Sequence, residues 1–191
     1  MRRLHLITSN LGKLKEFRSA LEPLGFEVVH LPEEVEEVQA DTLEGVVEDC
    51  MHQLHERGVK DFVLDDSGLF VNVLRGFPGV YSSYALRTLG CEGLLRLLTG
   101  MEDRRARFEC CVGCSLEDRQ DIILKERCDG RIIAGMRGKE GFGFDPVFAA
   151  EGERRTFAEM PLEEKNLISH RGKAIKSLAG QLDMQRGGNR K

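Results

Sequence analysis

Apolar positions in the first third of the chain switch between two periods. Residues 3 to 8 form a short apolar run, and 12 to 22 carry Leu14, Phe17 and Leu21 at helical spacing before a "PLGF" stop, which predicts a strand and then a helix. "FEVVHL" (26 to 31) reads as a second strand, 42 to 57 as a second helix and "DFVLDD" (61 to 66) as a third strand. This β-α-β-α-β alternation predicts an α/β fold, a mixed central sheet flanked by helices, with ligands expected at the strand ends. The acidic run "PEEVEEV" between the second strand and the second helix reads as a solvated segment and receives no chemistry.

The pattern changes in the middle. "FPGVYSSY" (77 to 84) predicts a loop, 90 to 99 a short helix, and "RARFECCVGCSLEDRQDIILKERCDG" two long strands around a polar turn at 117 to 119. Such a hairpin, roughly 104 to 130, would make a second lobe of a single domain spanning 1 to 185. Further on, Ile175, Leu178 and Leu182 share one helical face, and the closing "RGGNRK" (186 to 191) is expected to be a frayed tail.

A chain of 191 residues with 41% hydrophobic and 31% charged content is long enough to bury a core. Its 28 basic and 32 acidic residues leave a net charge of −4, which argues against a broad electrostatic grip on nucleic acid but leaves room for a small anion held by local cations. No run approaches the roughly 18 apolar residues of a membrane span, and no signal-peptide pattern is evident, so the cytoplasm is the expected setting. The six cysteines are then expected as reduced thiols; "CCVGC" contains one C-x-x-C pair without a second at zinc spacing. His52 and His55 lack an evident third ligand and read as a solvated helix face.

Four patches carry candidate chemistry. In "ITSNLGKLKE" a glycine-containing turn opens a helix, so unpaired N–H groups face the positive end of the dipole; Thr8, Ser9 and Asn10 can bond phosphate oxygens while Lys13 adds a point charge. An ordinary helix cap by Asn10 or Ser9 is the alternative. The spacing is not that of a Walker A loop. In "LDDSGL", Asp65 and Asp66 end an apolar strand, and the Ser-Gly that follows predicts a bend; carboxylates there suit a magnesium ion beside a phosphate or proton abstraction from water, against a plain Asx turn. In "EGFGFDP" glycines flank Phe142, and Gly143, Phe144 and Asp145 follow, so a flat base could approach ring and backbone together, or either ring could pack in the core. In "EKNLISHRGKA" Lys165, Ser169, His170 and Arg171 surround a turn before a helix, where arginine donors could read a carbonyl-bearing base edge or grip phosphate.

Together "TSNLGK", "DDSGLFV", "GFPGVYSS", "GFGFDPVF" and "FAEMPLEEKNLISHRGKA" resemble the inosine/xanthosine triphosphate pyrophosphatase family, in the family's order from residue 4 to about 182. The resemblance implies a two-lobed homodimeric enzyme with a nucleotide cleft between the lobes, dependent on Mg²⁺, that cleaves deaminated purine nucleoside triphosphates (ITP, dITP, XTP) to the monophosphate and pyrophosphate. It implies a phosphate cradle of Thr8, Asn10 and Lys13, a general base at Asp66 with Asp65 beside it, and nucleotide contact by Ser67. It further implies base stacking on Phe142, and a base and phosphate pocket of Asp145, Lys165, Ser169, His170 and Arg171. Two positions depart from the family pattern: Asp41 stands where the family has a metal-binding glutamate, with Glu44 near in sequence to assist, and Gln53 stands where many members place a phosphate-binding lysine. Tyr84 replaces a common arginine. A related phosphohydrolase with another base preference would keep Asp66 and Lys13 but alter the Phe142 and Arg171 pocket; a non-catalytic nucleotide-binding module would lack the carboxylates or the lysine.

Overall fold

The apolar run at the start of the chain forms β1 (Arg2–Ile7), with Leu4 and Leu6 fully buried. A computed structural model describes residues 2–8, 10–36 and 38–188. After β1 come α1 (Leu11–Leu21), β2 (Phe26–Leu31), α2 (Leu43–Glu56), β3 (Phe62–Val71), β4 (Pro78–Gly79), α3 (Ser82–Thr88) and α4 (Gly90–Leu97). They are followed by β5 (Arg105–Ser115), β6 (Ile122–Ile132), β7 (Phe148–Ala150), α5 (Leu162–Ile168) and α6 (His170–Gly188). The result is a mixed seven-stranded sheet flanked by helices, ordered β2-β1-β3-β5-β6-β7, with β4 paired to β3. Parallel neighbours need long connections, and α1 supplies the one between β1 and β2, which pair from Arg2↔Phe26 to Ile7↔Leu31.

Helical spacing translates directly into buried faces. Phe17 and Leu21 of α1 are fully buried, each worth about 2–3 kcal/mol of transfer free energy. On α2 the buried set is Leu43, Val46, Val47, Cys50, Met51 and Leu54, the stripe expected of a helix laid on a sheet. Gly113 of β5 permits that close packing, because a Cβ there would lie 2.5 Å from Met51 Sδ.

Two expectations are corrected. No bend follows Leu64: β3 continues through Asp65, Asp66, Ser67 and Gly68, held by antiparallel pairing with β4 (Leu69↔Gly79, Phe70↔Pro78). The Ser82 hydroxyl reinforces that pairing by accepting from the Leu69 N–H at 2.8 Å and donating to the Gly79 carbonyl at 2.6 Å. Gly68 is needed for close approach rather than for a turn, since a Cβ would stand 2.4 Å from the Gly79 oxygen. Correspondingly, 77 to 84 is not simply a loop but holds β4 and the start of α3. At the other end α6 extends to Gly188, and the last three residues of the proposed tail lie outside the described residues.

The chain divides into two compact units, one comprising Met1–Asp66, Cys111–Lys125 and Lys173–Lys191, the other Ser67–Cys110 and Glu126–Gly172. The first is built on the fully buried Leu4, Leu6, Phe17, Phe26, Leu54 and Phe62. The second has its own cluster around Leu69, Leu94, Phe108, Phe144, Phe148 and Phe157, in which the Phe108 and Phe148 rings meet edge-on at 4.7 Å. Among the described residues no helix is long and apolar enough to cross a membrane. All six cysteines are buried, and burial pushes the Cys111 and Cys114 thiols up to about 12.

Candidate active site

In the first unit, β1 ends at Ile7 and the turn into α1 uses its own polar side chains. Asn10 is the N-cap of α1, its Oδ1 accepting the Gly12 N–H at 2.9 Å, and the Thr8 hydroxyl accepts the Asn10 N–H at 3.1 Å. The ordinary cap, the alternative to a phosphate cradle, is thus what Asn10 supplies, and these bonds fix the loop ahead of the helix dipole. Ser9 lies outside the described residues. Lys13 reaches from α1 to β3, where its ammonium donates to the Asp65 carbonyl at 3.0 Å and pairs with Asp65 Oδ1 at 3.1 Å. The Asp65 carboxylate is fully buried.

Thr8, Lys13, Asp65 and Asp66 line a cavity of about 370 Å³. Its remaining wall includes Glu33, Glu34 and Glu36, the acidic run that sequence reasoning left without chemistry. The signal that could have found it is topological: the run follows the carboxyl end of β2, where α/β sheets bind ligands. Asp66 is partly exposed, and together with Glu44 and Glu48 it adds to the burial that raises the Cys111 thiol, so these carboxylates share one neighbourhood. Glu44 Oε1 pairs with Lys125 at 2.5 Å, while its Oε2 is buried with no hydrogen-bond partner among the described residues. Burial raises the Glu44 pKa, but the bonds from Lys125 and a backbone amide outweigh it and hold the carboxyl below its ordinary range. Asp41 is exposed, one residue ahead of Thr42, the N-cap of α2, and does not line the cavity. Among the described residues no three His, Cys, Asp or Glu side chains are gathered as a ready-made metal site, so Asp41, Asp65 and Asp66 do not form one cluster.

In the second unit the glycine-rich turn closes around a buried carboxylate. Asp145 Oδ2 accepts the Phe142 N–H at 2.8 Å and the Lys165 ammonium at 2.7 Å, and both charged side chains are 4% exposed. Gly141, at φ 72°, must be glycine, since a Cβ would meet Asp145 Oδ2 at 2.1 Å. The Phe142 ring is 37% exposed, with Lys165 Nζ 5.0 Å and the Arg171 guanidinium carbon 5.2 Å from its centre. Arg171 also donates to the Ser67 hydroxyl at 3.2 Å. The His170 ring stacks on Phe108 at 4.6 Å and 9°, a support that no sequence signal marks. Ser169 caps α6, its hydroxyl accepting the Gly172 N–H at 3.1 Å. Phe144 is buried in the core cluster, and the Gly143 carbonyl accepts from the Cys91 thiol at 3.5 Å.

Comparison with known proteins agrees with these motifs. A family model described as the Ham1 family matches residues 4–181. The chain is 50% identical over 180 residues to a dITP/XTP pyrophosphatase of Thermococcus kodakarensis, an alignment covering 94% of this chain and 97% of that one. It is 47% identical to a dITP/XTP pyrophosphatase of Pyrococcus horikoshii, over 92% and 94% of the two chains. Among solved structures, the Staphylococcus aureus Ham1 protein superposes with a TM-score of 0.85 at 31% identity, covering 96% of this chain and all of that one.

Proposed function

The chain belongs to the Ham1 family, and from that premise we propose that it hydrolyses ITP, dITP and XTP to the nucleoside monophosphate and pyrophosphate, clearing deaminated purines from the nucleotide pool. The observation that carries the reading is the cavity in which partly exposed Asp66 stands with Lys13 and Thr8. Asp66 takes the proton of the attacking water, and Lys13, which can exchange a bond to Asp65 for one to phosphate, stabilises the leaving pyrophosphate. Thr8, Ser9 and Asn10 cradle the phosphates. In the second unit Phe142 takes the base on its exposed face, and Arg171 donates to the six-position oxygen of hypoxanthine or xanthine. Adenine carries an amino donor at that position, which would leave arginine donors unpaired. Ser67, Asp145, Lys165, Ser169 and His170 hold this pocket together.

The donor set suits magnesium. Glu33, Glu34, Glu36, Asp65 and Asp66 line the cavity against the single ammonium of Lys13, so a bare triphosphate would be repelled and a hard divalent cation attracted. Asp66 would hold it, with the buried Glu44 oxygen in its neighbourhood available and Asp65 committed to Lys13, whereas Asp41, exposed and outside the cavity lining, would not. When bound, the ion neutralises and orients the triphosphate. The reading extends to a homodimer acting in the cytoplasm on a small-molecule nucleotide, without nucleic-acid or membrane partners.

The test is pyrophosphate release with Mg²⁺ at alkaline pH, comparing ITP, dITP and XTP with ATP and GTP. Preference for the first three is expected; equal rates on all five would keep a hydrolase and discard the base pocket. Asp66→Asn is expected to bind ITP as before and lose about 10²- to 10⁴-fold in kcat. Unchanged turnover in that variant would remove Asp66 from its role.

A further inference from the structure

We propose that Gln53 and Arg57, at the C-terminal end of α2, are positioning residues that clamp the acidic wall of the phosphate cavity and thereby set its affinity for the triphosphate. The proposal rests on the pyrophosphatase reading for the identity of the ligand. The clamp itself rests on geometry within the first unit.

Residues 32–36 and 38–42, between β2 and α2, form neither helix nor strand, in a connection longer than most in compact domains. Gln53 of α2 and Arg57, its C-cap, tie this one. The Gln53 amide oxygen accepts the Glu36 N–H at 3.0 Å, and its nitrogen donates to the Glu36 carbonyl at 2.7 Å. Glu36 is thus held at both backbone groups, as a neighbouring strand would hold it. The other amide hydrogen of Gln53 goes to Asp49 Oδ2 at 2.7 Å, so both donors are committed and none is left for phosphate. One turn along, Arg57 donates to the Glu34 carbonyl, sits 3.8 Å from the Glu33 carboxylate and reaches Gln53 Oε1 at 3.4 Å.

This arrangement explains the departure at position 53. A lysine has three donors and no acceptor, so it could not receive the Glu36 N–H. Glutamine gives up a direct phosphate contact and gains a two-point hold on the wall. The hold matters because Glu33, Glu34 and Glu36 border a cavity proposed to take an anion. A wall that moves must be re-ordered on each binding event, which weakens binding.

The experiment compares wild type with Gln53→Leu, which keeps the bulk and removes every bond, and with Arg57→Leu. Hydrogen exchange at the Glu36 amide, read by NMR on ¹⁵N-labelled protein, needs no assumption about function. ITP hydrolysis tests the consequence. Gln53→Leu is expected to speed Glu36 exchange and raise KM for ITP about fivefold while kcat stays within about twofold. Arg57→Leu should do the same more weakly, and the double variant should fall short of the product of the two. Unchanged exchange would overturn the clamp. Faster exchange with unchanged KM, or a fall in kcat alone, would overturn the positioning role. If wild type releases no pyrophosphate from ITP, the substrate half falls with the functional reading, while the exchange result still decides the clamp.

Discussion

Two lysine–aspartate pairs, one in either unit, have similar lengths in unlike surroundings, 3.1 Å for Lys13–Asp65 and 2.7 Å for Lys165–Asp145. Lys13 is 15% exposed and its partner Asp65 lines a cavity although its carboxylate is fully covered, so water or a phosphate oxygen can reach the ammonium when a bond to Asp65 breaks. Lys165 and Asp145 are sealed, and the same carboxylate oxygen that meets the ammonium also holds the Phe142 backbone. A pair open to a ligand can exchange partners during a reaction. A sealed pair cannot, and serves as a brace for the ring beside it.

Breaking the sealed pair should have the larger cost. Lys165→Met leaves Asp145 buried without its counter-charge and is expected to lose about 3–5 kcal/mol of stability, lowering Tm by roughly 10 °C as followed by circular dichroism. A loss below about 1 kcal/mol would mean that water reaches Asp145 and that the Lys165–Asp145 pair is not sealed. Lys13→Met should lose less, about 1–2 kcal/mol, since the space left by the ammonium opens to the cavity and can admit water to the Asp65 carboxylate that Lys13 now covers, yet it should abolish most pyrophosphate release. Stability loss equal to that of Lys165→Met would show that Lys13 is a brace as well.

The two regions also differ in how far the sequence reveals them. The alternation of apolar periods is legible because α1, α2 and the first strands bury one face each, a local property of the chain. Asn10 as a cap is legible for the same reason. Gly68 was misread because a glycine before an apolar run signals a turn, whereas here its missing Cβ makes room for the Gly79 carbonyl, a contact eleven residues away. The acidic wall was missed because charge runs are usually solvated; nothing in residues 33–36 announces that Gln53 and Arg57 will hold them. Likewise Phe144 looks like Phe142 in sequence, and only packing separates the half-exposed ring from the buried one. Contacts between distant segments decide each of these cases.

Arg171 supplies the sharpest division of labour within the second unit and the smallest expected effect. It is 3% exposed, lies 5.2 Å from the Phe142 ring centre and bonds to Ser67, so it shares the platform that Lys165 also faces. If Lys165 braces and Arg171 reads, the two should fail differently. Removing the brace should cost stability and weaken all purine triphosphates alike, whereas Arg171→Ala should spare most of the stability and change the ranking of bases. ITP loses a donor to its six-position oxygen, while ATP loses an unpaired donor that had opposed its amino group, so the two rates converge. The expected outcome is a narrowing of the ITP-to-ATP ratio of kcat/KM by about tenfold. An unaltered ratio would place base reading on another group and leave Arg171 as a second brace, which would erase the distinction between the cations around Phe142.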